Sequence, residues 1–341
     1  MTHKNVIFIF LCIGTLVLFI INLILGAVNI PVHSVLAILL GNGEPNDIWT
    51  YIILHFRLPQ AIIAILAGGL LALCGLLLQA LFQNPLADPS ILGVSSGAGV
   101  GVALVMLLFG GGLTIGALSF TGVLAVFIGA LIGSISVTLL MLLLAKFMKS
   151  NTLLLIAGVM IGYLSSSIII LFNFFASSDG MRAYIQWGMG NFSSVTNYKL
   201  IIFAIISIGC VFATFILAKP LNAMALGAYY AQNLGIDTKK FRNIVLLITG
   251  IMTASVTCFC GPIAFIGLVV PHLAHLLFRS DDYHILLPAT FFIGSNIALL
   301  CNAMCTILPG GYILPINVIT PIIGVPVIFY IMLRKSNKYE R

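Results

Sequence analysis

Long apolar runs separated by short polar segments dominate this chain. Cutting the sequence at charged residues, prolines and glycine clusters leaves ten apolar stretches, near residues 6–28, 60–81, 91–109, 115–145, 152–176, 199–218, 243–260, 263–278, 285–305 and 318–333. A helix of about 20 apolar residues matches the hydrocarbon thickness of a bilayer. The pattern therefore predicts an all-α, polytopic membrane protein with about ten transmembrane helices.

Composition points the same way. Of 341 residues, 61% are hydrophobic and 7% are charged, whereas about a quarter of the residues in an average soluble domain are charged. We therefore expect a single transmembrane domain over residues 1–341. The first apolar run, from Val6 to Val28, is longer than the roughly 7–15 residues of a signal-peptide core, so we expect it to be a retained span.

The basic residues are distributed unevenly between the two sides of the membrane. If the amino terminus is cytoplasmic, only Arg57, Arg182 and Lys199 of the fifteen basic residues fall outside. The twelve on the inner side are Lys4, Lys146, Lys149, Lys219, Lys239, Lys240, Arg242, Arg279, Arg334, Lys335, Lys338 and Arg341. Because Lys and Arg near span ends are retained in the cytoplasm, we expect an even number of spans with both termini cytoplasmic.

Two connecting segments are longer than the rest. The outer one runs from about Pro31 to Arg57 and contains Glu44, Asp47 and Trp49. The inner one runs from Lys219 to Arg242; it is too polar to span the membrane, yet its residues favour a helix. This inner segment predicts a short pair of cytoplasmic helices.

Signals for catalysis, cofactors and metals are scarce. No GxxxxGK[ST] motif occurs, so the chain has no P-loop for ATP, and GAGVG at 97–101 follows no soluble strand. His272 and His275 share a helix face without a further ligand at metal spacing, and helix-end packing is the favoured interpretation. The seven cysteines, which we expect to pack in spans, are Cys12, Cys74, Cys210, Cys258, Cys260, Cys301 and Cys305.

The middles of the predicted spans hold essentially no ionisable residues. Secondary carriers and proton-coupled pumps keep such residues deep in their spans, so the pattern argues against them and against a membrane-embedded enzyme. GxxxG spacings occur at Gly129/Gly133 and Gly158/Gly162. They favour close helix packing within one subunit, with a dimerisation face as the alternative.

Five blocks of this sequence resemble one transporter family. RLPQAIIAILAGGLLALCGLLLQALFQNPLADPSILGVSSGAGVG at 57–101 resembles the signature of the iron-chelate and cobalamin permeases of bacterial ABC importers, the FecCD-like type II importers. WGMGNF at 187–192, LNAMALGAYYAQNLGI at 221–236, GPIAFIGLVVPHLAH at 261–275 and LPINVITPIIGVPVIFYIMLRK at 314–335 follow in the family's order. The resemblance covers nearly the whole chain.

The resemblance implies a fold, an activity and partners. It implies a single permease domain over 1–341 in a bacterial cytoplasmic membrane, paired with a second permease subunit. Two ATPase subunits, carrying the ATP and Mg, and an extracellular or periplasmic binding protein complete the importer. The chain itself is then neither an enzyme nor a cofactor protein. The expected substrate is a metal chelate, first a ferric siderophore, with haem or cobalamin as alternatives; an ATPase-independent carrier is the less favoured activity.

The resemblance also implies roles for individual residues. The inner segment, 219–242, becomes the element that couples to the ATPase. Its expected coupling residues are Leu226, Gly227, Gln232, Leu234, Gly235, Lys239, Lys240 and Arg242. The positions expected to dock the binding protein are Arg57, Gln60 and Thr306. The small and polar residues expected beside the translocation path are Gln79, Asn84, Ser95, Ser96, Gly158 and Gly267.

The chain departs from the family's pattern at several positions. Gln60 stands where a second Arg is common, Ala228 where an acidic residue is common, and His275 where an Arg follows the PH block. In the last outer loop, the usual Asp, Arg and acidic residue are replaced by Asn302, Thr306 and Ile313. Only Arg57 then remains of the outward docking charges. We therefore predict that the second permease subunit is a different chain.

Overall fold

The structure is a computed structural model. It describes residues 3–26, 28–41, 47–108, 112–115, 118–148, 150–193, 197–307 and 313–339. Glu44, Lys149 and Arg341, which the sequence analysis placed in connecting segments, lie outside the described residues.

The predicted number of spans is confirmed. Seven helices of the described chain are long and apolar enough to cross a membrane: Lys4–Ile24, Ile48–Phe82, Val123–Phe147, Asn151–Phe175, Lys199–Ile216, Thr238–Cys260 and Tyr283–Cys305. Three shorter apolar helices are Val94–Leu108, Ile266–Phe278 and Ile316–Tyr330. Together they match the ten apolar stretches in order.

The described residues form fifteen α-helices, one small hairpin and three short segments of other helix types, namely Ile53–Arg57 and Leu104–Leu108 (π) and Pro89–Leu92 (3-10). The helices are α1 (His3–Ile24), α2 (Val32–Leu39), α3 (Asp47–Ile52), α4 (Leu58–Phe82), α5 (Val94–Ala103), α6 (Val123–Phe147), α7 (Asn151–Phe175), α8 (Ser178–Gly188), α9 (Asn197–Ile216), α10 (Ala218–Ala225), α11 (Ala228–Asn233), α12 (Thr238–Cys260), α13 (Ile266–Phe278), α14 (Tyr283–Cys305) and α15 (Ile316–Tyr339). The strands β1 (Gly112–Ile115) and β2 (Leu118–Thr121) pair antiparallel, Gly112 opposite Thr121.

Two predicted boundaries are wrong. The stretch predicted as a span over 115–145 begins with the hairpin, and α6 starts only at Val123. Glycines at 110–112 and 116 disfavour a helix there. The span predicted over 60–81 starts earlier, because α3 and a π-helical turn, Ile53–Arg57, continue into α4.

Helix α4 is the centre of the bundle. It is buried over most of its length, as is α12, whereas α1, α7 and α9 turn most of their surface outward. Close packing around α4 depends on glycine: a Cβ added to Gly75 would lie 1.8 Å from the Gly267 carbonyl oxygen of α13. Small residues allow such close approach of helices in lipid, where no hydrophobic force draws helices together.

Glycines also join α5 to α6. A Cβ on Gly101 would lie 1.9 Å from the Gly129 carbonyl oxygen, and one on Gly133 would lie 2.1 Å from the Gly97 carbonyl oxygen. In α7, Gly158 packs against the Ile91 carbonyl oxygen. Both predicted GxxxG spacings therefore contribute to packing inside this subunit.

Hydrogen bonds gather several helix ends at one end of the bundle. Lys4 Nζ donates to Ser280 Oγ (3.3 Å), so the start of α1 lies beside the α13–α14 connection. Asn151 Nδ2 donates to the Leu81 carbonyl (2.8 Å), so the start of α7 lies beside the end of α4. We call this the basic end. That it faces the cytoplasm stays a prediction from the charge bias.

Candidate functional site

The helix pair α10–α11 lies at the basic end and confirms the pair predicted for the inner segment. Gly227 separates the two helices with φ +115°, and Gly235 follows α11 with φ +83°. Both values lie in the region of positive φ that glycine adopts without steric cost. Gln232 Nε2 donates to Thr238 Oγ1 (3.3 Å), which closes the turn between α11 and α12.

This helix pair exposes apolar side chains. Leu226 is 69% exposed, Tyr229 87%, Tyr230 50% and Leu234 58%. We call these four residues the apolar coupling face. At an end of the bundle where polar connections and basic residues lie, exposed large apolar side chains on one helix pair are typical of a protein contact. The predicted coupling residues Lys239 and Lys240 are exposed next to it.

An amide side chain fastens the helix pair to the bundle. Asn222 Nδ2 of α10 donates to Asp282 Oδ1 (2.8 Å), and the Tyr283 amide donates to Asn222 Oδ1 (2.8 Å). Asp282 also accepts from the His284 amide and so caps α14. The hydrogen bond from Asn222 holds the pKa of the Asp282 carboxyl below its ordinary value. Sequence reasoning missed Asn222, because nothing local distinguishes it from other polar residues of the block.

The second attachment is a helix cap. Asp237 accepts from the backbone amides of Lys239 (3.0 Å) and Lys240 (3.1 Å) at the start of α12. These bonds, first the one from Lys240, lower the pKa of the Asp237 carboxyl. The helix pair is therefore joined to α14 through Asn222 and to α12 through a short capped turn. A push on the pair would reach both spans as a rigid-body movement.

Arg242 does not lie on the coupling face. Its side chain is buried, Nη1 donates to the Met148 carbonyl (3.0 Å), and Nη2 donates to the Ala145 carbonyl. Those carbonyls are at the end of α6, where a helix has no intrahelical donors left. Arg242 therefore joins the start of α12 to the end of α6, and its coupling role stays a prediction.

Of the residues predicted for docking, Arg57 is buried, and Gln60 and Thr306 are half-buried. Arg57 is 6% exposed, and its guanidinium donates to the carbonyls of Leu23 (2.8 Å), Ile24 (2.7 Å) and Val28 at the end of α1. Thr306 Oγ1 donates to the Ala303 carbonyl of its own helix (2.8 Å). The side chain of Arg57 therefore offers no outward charge to a binding protein in this structure.

Gln60, the third predicted docking residue, belongs to a buried amide network. Gln60 Nε2 donates to Asn302 Oδ1 (2.9 Å), and Asn302 Nδ2 donates to Asn22 Oδ1 (2.7 Å). Asn22 Nδ2 in turn donates to the Leu299 carbonyl (3.0 Å). Two departures from the family's pattern, Gln60 and Asn302, are thus direct partners. Neutral amides fill positions where the resemblance leads one to expect opposite charges.

Each of the six predicted path residues makes local contacts in the structure. Gln79 Nε2 donates to the Leu268 carbonyl (3.3 Å), and Ser95 Oγ lies 3.2 Å from Thr257 Oγ1. Gly158 and Gly267 are buried packing positions. Asn84 accepts from the Leu86 amide, and Ser96 faces Gly162. Their role along a path stays a prediction.

The structure does hold a cavity elsewhere, of about 790 Å³. It lies at the opposite end from the helix pair, between α6, α8, the start of α9 and the end of α12, and none of the predicted path residues lines it. Its wall combines apolar residues such as Phe127 and Phe259 with the polar Asp179, Gln186 and Asn191.

Comparison with known proteins decides the family. The profile of the FecCD transport family matches residues 14–334. The chain belongs to the FecCD transport family. As a FecCD permease it is a subunit of an ABC importer rather than an enzyme, because ATP hydrolysis in such importers is carried out by a separate subunit.

Curated relatives of this FecCD permease carry a specific name. The vitamin B12 import system permease protein BtuC of Klebsiella pneumoniae is 35% identical over 285 residues, which is 83% of each chain. The BtuC protein of Salmonella typhi is 34% identical over 287 residues, again 83% of each chain. That of an Escherichia coli strain is 34% identical over 281 residues, 82% of this chain and 83% of the relative.

Solved structures agree on the fold. A structure described as an inward-facing conformation of a metal-chelate type ABC transporter superposes with a TM-score of 0.83 at 25% identity, covering 97% of this chain and 99% of that one. PsaBC from Streptococcus pneumoniae, in complex with Fab, gives a TM-score of 0.53 at 16% identity over 83% of this chain and 93% of that one. The predicted type II importer fold is confirmed by the first of these.

Proposed function

We propose that this FecCD permease moves a metal chelate into the cytoplasm by alternating access, with an ATPase docked on the apolar coupling face. The observation that carries the proposal is the exposed set Leu226, Tyr229, Tyr230 and Leu234 on a helix pair that is tied to α12 and α14. In this proposal the apolar coupling face contacts the ATPase, and the attachments to α12 and α14 transmit the movement of the ATPase to these spans. Leu226 and Leu234 keep their predicted role, together with Lys239 and Lys240.

Cobalamin is the first substrate to test. Three relatives at 34–35% identity are named vitamin B12 permeases, and each match covers more than four fifths of both chains. The ferric siderophore predicted from the sequence is the second candidate, supported by the likeness to a metal-chelate type transporter. Both substrates are bulky, and the nearly charge-free spans suit a path with weak contacts.

The whole chain, 1–341, acts in this proposal as one permease domain of the bacterial cytoplasmic membrane with both termini inside. Its partners are a second permease subunit, two ATPase subunits and an external binding protein. It needs no cofactor of its own, since ATP and Mg bind to the ATPase. The path positions Gln79, Asn84, Ser95 and Ser96 are proposed to become accessible when the spans separate.

The test is uptake by the reconstituted importer. The chain is co-expressed with the permease, ATPase and binding protein encoded beside it and placed in proteoliposomes. Radiolabelled cyanocobalamin and a radioiron-loaded hydroxamate siderophore are offered in parallel, and a hydrolysis-deficient ATPase is the control. ATP-dependent uptake of cobalamin supports the first candidate, and uptake of the iron complex alone supports the second. Uptake that continues with the deficient ATPase would instead indicate a secondary carrier.

A further inference from the structure

The side-chain amide of Asn317, at the start of α15, connects three separate segments. Its Nδ2 donates to the carbonyls of Pro262 (2.7 Å) and Gly188 (3.1 Å), and its Oδ1 accepts from the Ala264 amide (3.3 Å). The backbone amide of Asn317 also donates to the Met189 carbonyl (3.3 Å). We call this set of four hydrogen bonds the Asn317 latch.

The latch closes over a break in the membrane bundle. Helix α12 ends at Cys260, α13 begins at Ile266, and the residues between them form no regular element. Backbone groups in such a break have no helical partners, and lipid cannot supply them. The break is also strained, because Phe265 has φ +72°, a conformation that bulky side chains rarely adopt. Such strain persists only where the surroundings impose it.

The segment on the other side of the latch borders a cavity. No residue of α8 is buried, and the cavity of about 790 Å³ lies directly behind it. Trp187 and Asn191, which flank the latched Gly188 and Met189, line this cavity, as does Cys260 on the break. Apart from the Asn317 bonds, the Asn191 amide donates to the Cys260 carbonyl (2.7 Å). The end of α8 therefore has free space on its cavity side.

Helix α13 connects the latch to the coupling end. Its first turn packs at Gly267 against Asp88 and Pro89, in the connection between α4 and α5. It ends at Phe278, and Asp282, the partner of Asn222, follows within four residues. Helix α13, which contains Pro271, thus links the attachment of the helix pair to the break.

We propose that Asn317 is a positioning residue for transport. Its amide holds the end of α8 against the α12–α13 break in the conformation described, and the transport cycle breaks these bonds so that α8 moves into the adjoining cavity. The proposal rests on the transport function proposed above, but it does not depend on which chelate is carried. The likeness to an inward-facing transporter fits a latch that is closed at the far end of the bundle.

Cys260 is a natural probe of the latch, because it is 2% exposed and lies on the cavity wall behind the latched segment. The complex with its ATPase is placed in nanodiscs, with Cys260 as the only cysteine, and labelling by a soluble maleimide is timed. Asn317→Asp keeps the shape of the side chain but loses both donated bonds. We expect it to be labelled about tenfold faster than the parent, since two buried carbonyls lose their donor. Asn317→Ala should behave in the same way.

The matched control is Asn173→Ala, which removes an amide from α7 whose Oδ1 has no hydrogen-bond partner in the structure. It should leave the labelling rate unchanged. Asn317→Asp should also lower the uptake per ATP hydrolysed, whereas a residue that only fills space would tolerate this isosteric change. Equal labelling rates for the parent and Asn317→Asp would overturn the proposal.

A measurement on the unsubstituted latch covers the case in which the variants fail to fold. In the parent complex, trapping the ATPase with ATP and vanadate should change the labelling rate of Cys260 severalfold relative to the nucleotide-free complex. If the ATPase is bound and hydrolyses ATP before trapping, an unchanged labelling rate of Cys260 after trapping would overturn the latch. The proposed function would then remain intact. Loss of ATPase binding itself would contradict the proposed function instead.

Discussion

At the scale of single residues, two buried arginines close the ends of helices. Arg57 donates to the carbonyls that end α1, and Arg242 donates to those that end α6. The last carbonyls of a helix lack intrahelical donors and carry the negative end of the helix dipole. In a membrane, where water is scarce, a guanidinium with five donors is well suited to satisfy them.

Replacing Arg57 should therefore destabilise the fold. Arg57→Met removes three donated bonds and leaves the buried Leu23 carbonyl and the part-buried carbonyls of Ile24 and Val28 without this donor, which should lower the free energy of unfolding by about 3 kcal/mol. The measurement is thermal unfolding in detergent. Arg182→Met, at an exposed position of α8, should change the melting temperature little. An Arg57→Met variant as stable as the Arg182→Met control would show that the cap contributes nothing.

The attachment of the helix pair should depend on pH. Because the folded-state pKa of Asp282 is lowered from its ordinary value of 3.8, its stabilising effect is complete above that value and disappears as the pH falls through the folded-state value. A dye on Tyr229→Cys, with the exposed Cys12 replaced by Ser, should show constant anisotropy from pH 8 to about 5. Below about pH 4 the anisotropy should fall as α10 loosens.

Asp282→Asn is the control for that titration. Asparagine keeps an acceptor for Asn222 and for the helix cap but has no charge to lose, so the acid-dependent fall should disappear. A parent protein whose anisotropy matches that of Asp282→Asn at every pH would show that the link between Asn222 and Asp282 does not hold the helix pair.

The role of Arg57 could not be predicted from the sequence. Its position before an outer span and its charge both suit a docking residue, and the resemblance favours that interpretation. Its actual partners are backbone carbonyls more than 28 residues earlier in the chain, and carbonyls carry no sequence signal. The roles of Gln60 and Asn302 could not be predicted either. The sequence shows that each departs from the family's pattern, but only the fold shows that their side chains are hydrogen-bonded to each other.

At the scale of elements, the ten spans were predictable because bilayer thickness limits the length of an apolar run. The helix pair α10–α11 was predictable because its polarity excludes it from lipid. The hairpin before α6 and the exposed helix α8 were not predictable from the sequence. The first is a short apolar segment whose periodicity does not distinguish strand from helix. The second is too short and too polar to stand out from a loop.

Glycine packing between α5 and α6 gives a prediction at this scale. Gly101→Ala should destabilise the protein by about 1–3 kcal/mol, because its Cβ would lie 1.9 Å from the Gly129 carbonyl oxygen and the helices would have to separate. Gly209→Ala is the matched control, with no neighbour within 4 Å. It should stabilise α9 by about 0.5–1 kcal/mol. The measurement is thermal unfolding of both variants in one detergent. Equal changes in stability for the two variants would contradict the packing role of Gly101.

At the scale of the whole molecule, assembly with the ATPase should depend on the apolar coupling face. Leu234→Asp places a charge on a surface that must lose its water on binding. We expect at least a tenfold loss of ATPase recovered with the tagged permease. Leu234→Met keeps an apolar side chain and should retain the ATPase. Full recovery with Leu234→Asp would place the contact elsewhere.

The prediction of a second, different permease chain has less support than it had from sequence alone. That prediction assumed that Arg57 is the last outward-facing charge available for docking the binding protein. The side chain of Arg57 is buried. Co-expression of two differently tagged copies of this chain with the ATPase is the direct test. Recovery of both tags in one active complex would show a homodimer, and recovery of one tag with a second permease would show a heterodimer.

The cap made by Arg57 also has a consequence for biogenesis. In the predicted topology, Arg57 is one of three basic residues on the side opposite the other twelve, so we expect its charge to oppose, during insertion, the orientation that the rest of the chain favours. Its binding partners at residues 23–28 leave the ribosome first. Once α1 is in place, its carbonyls can receive the guanidinium as soon as the next span enters. We therefore expect the first two spans to reach their orientation before later spans are made.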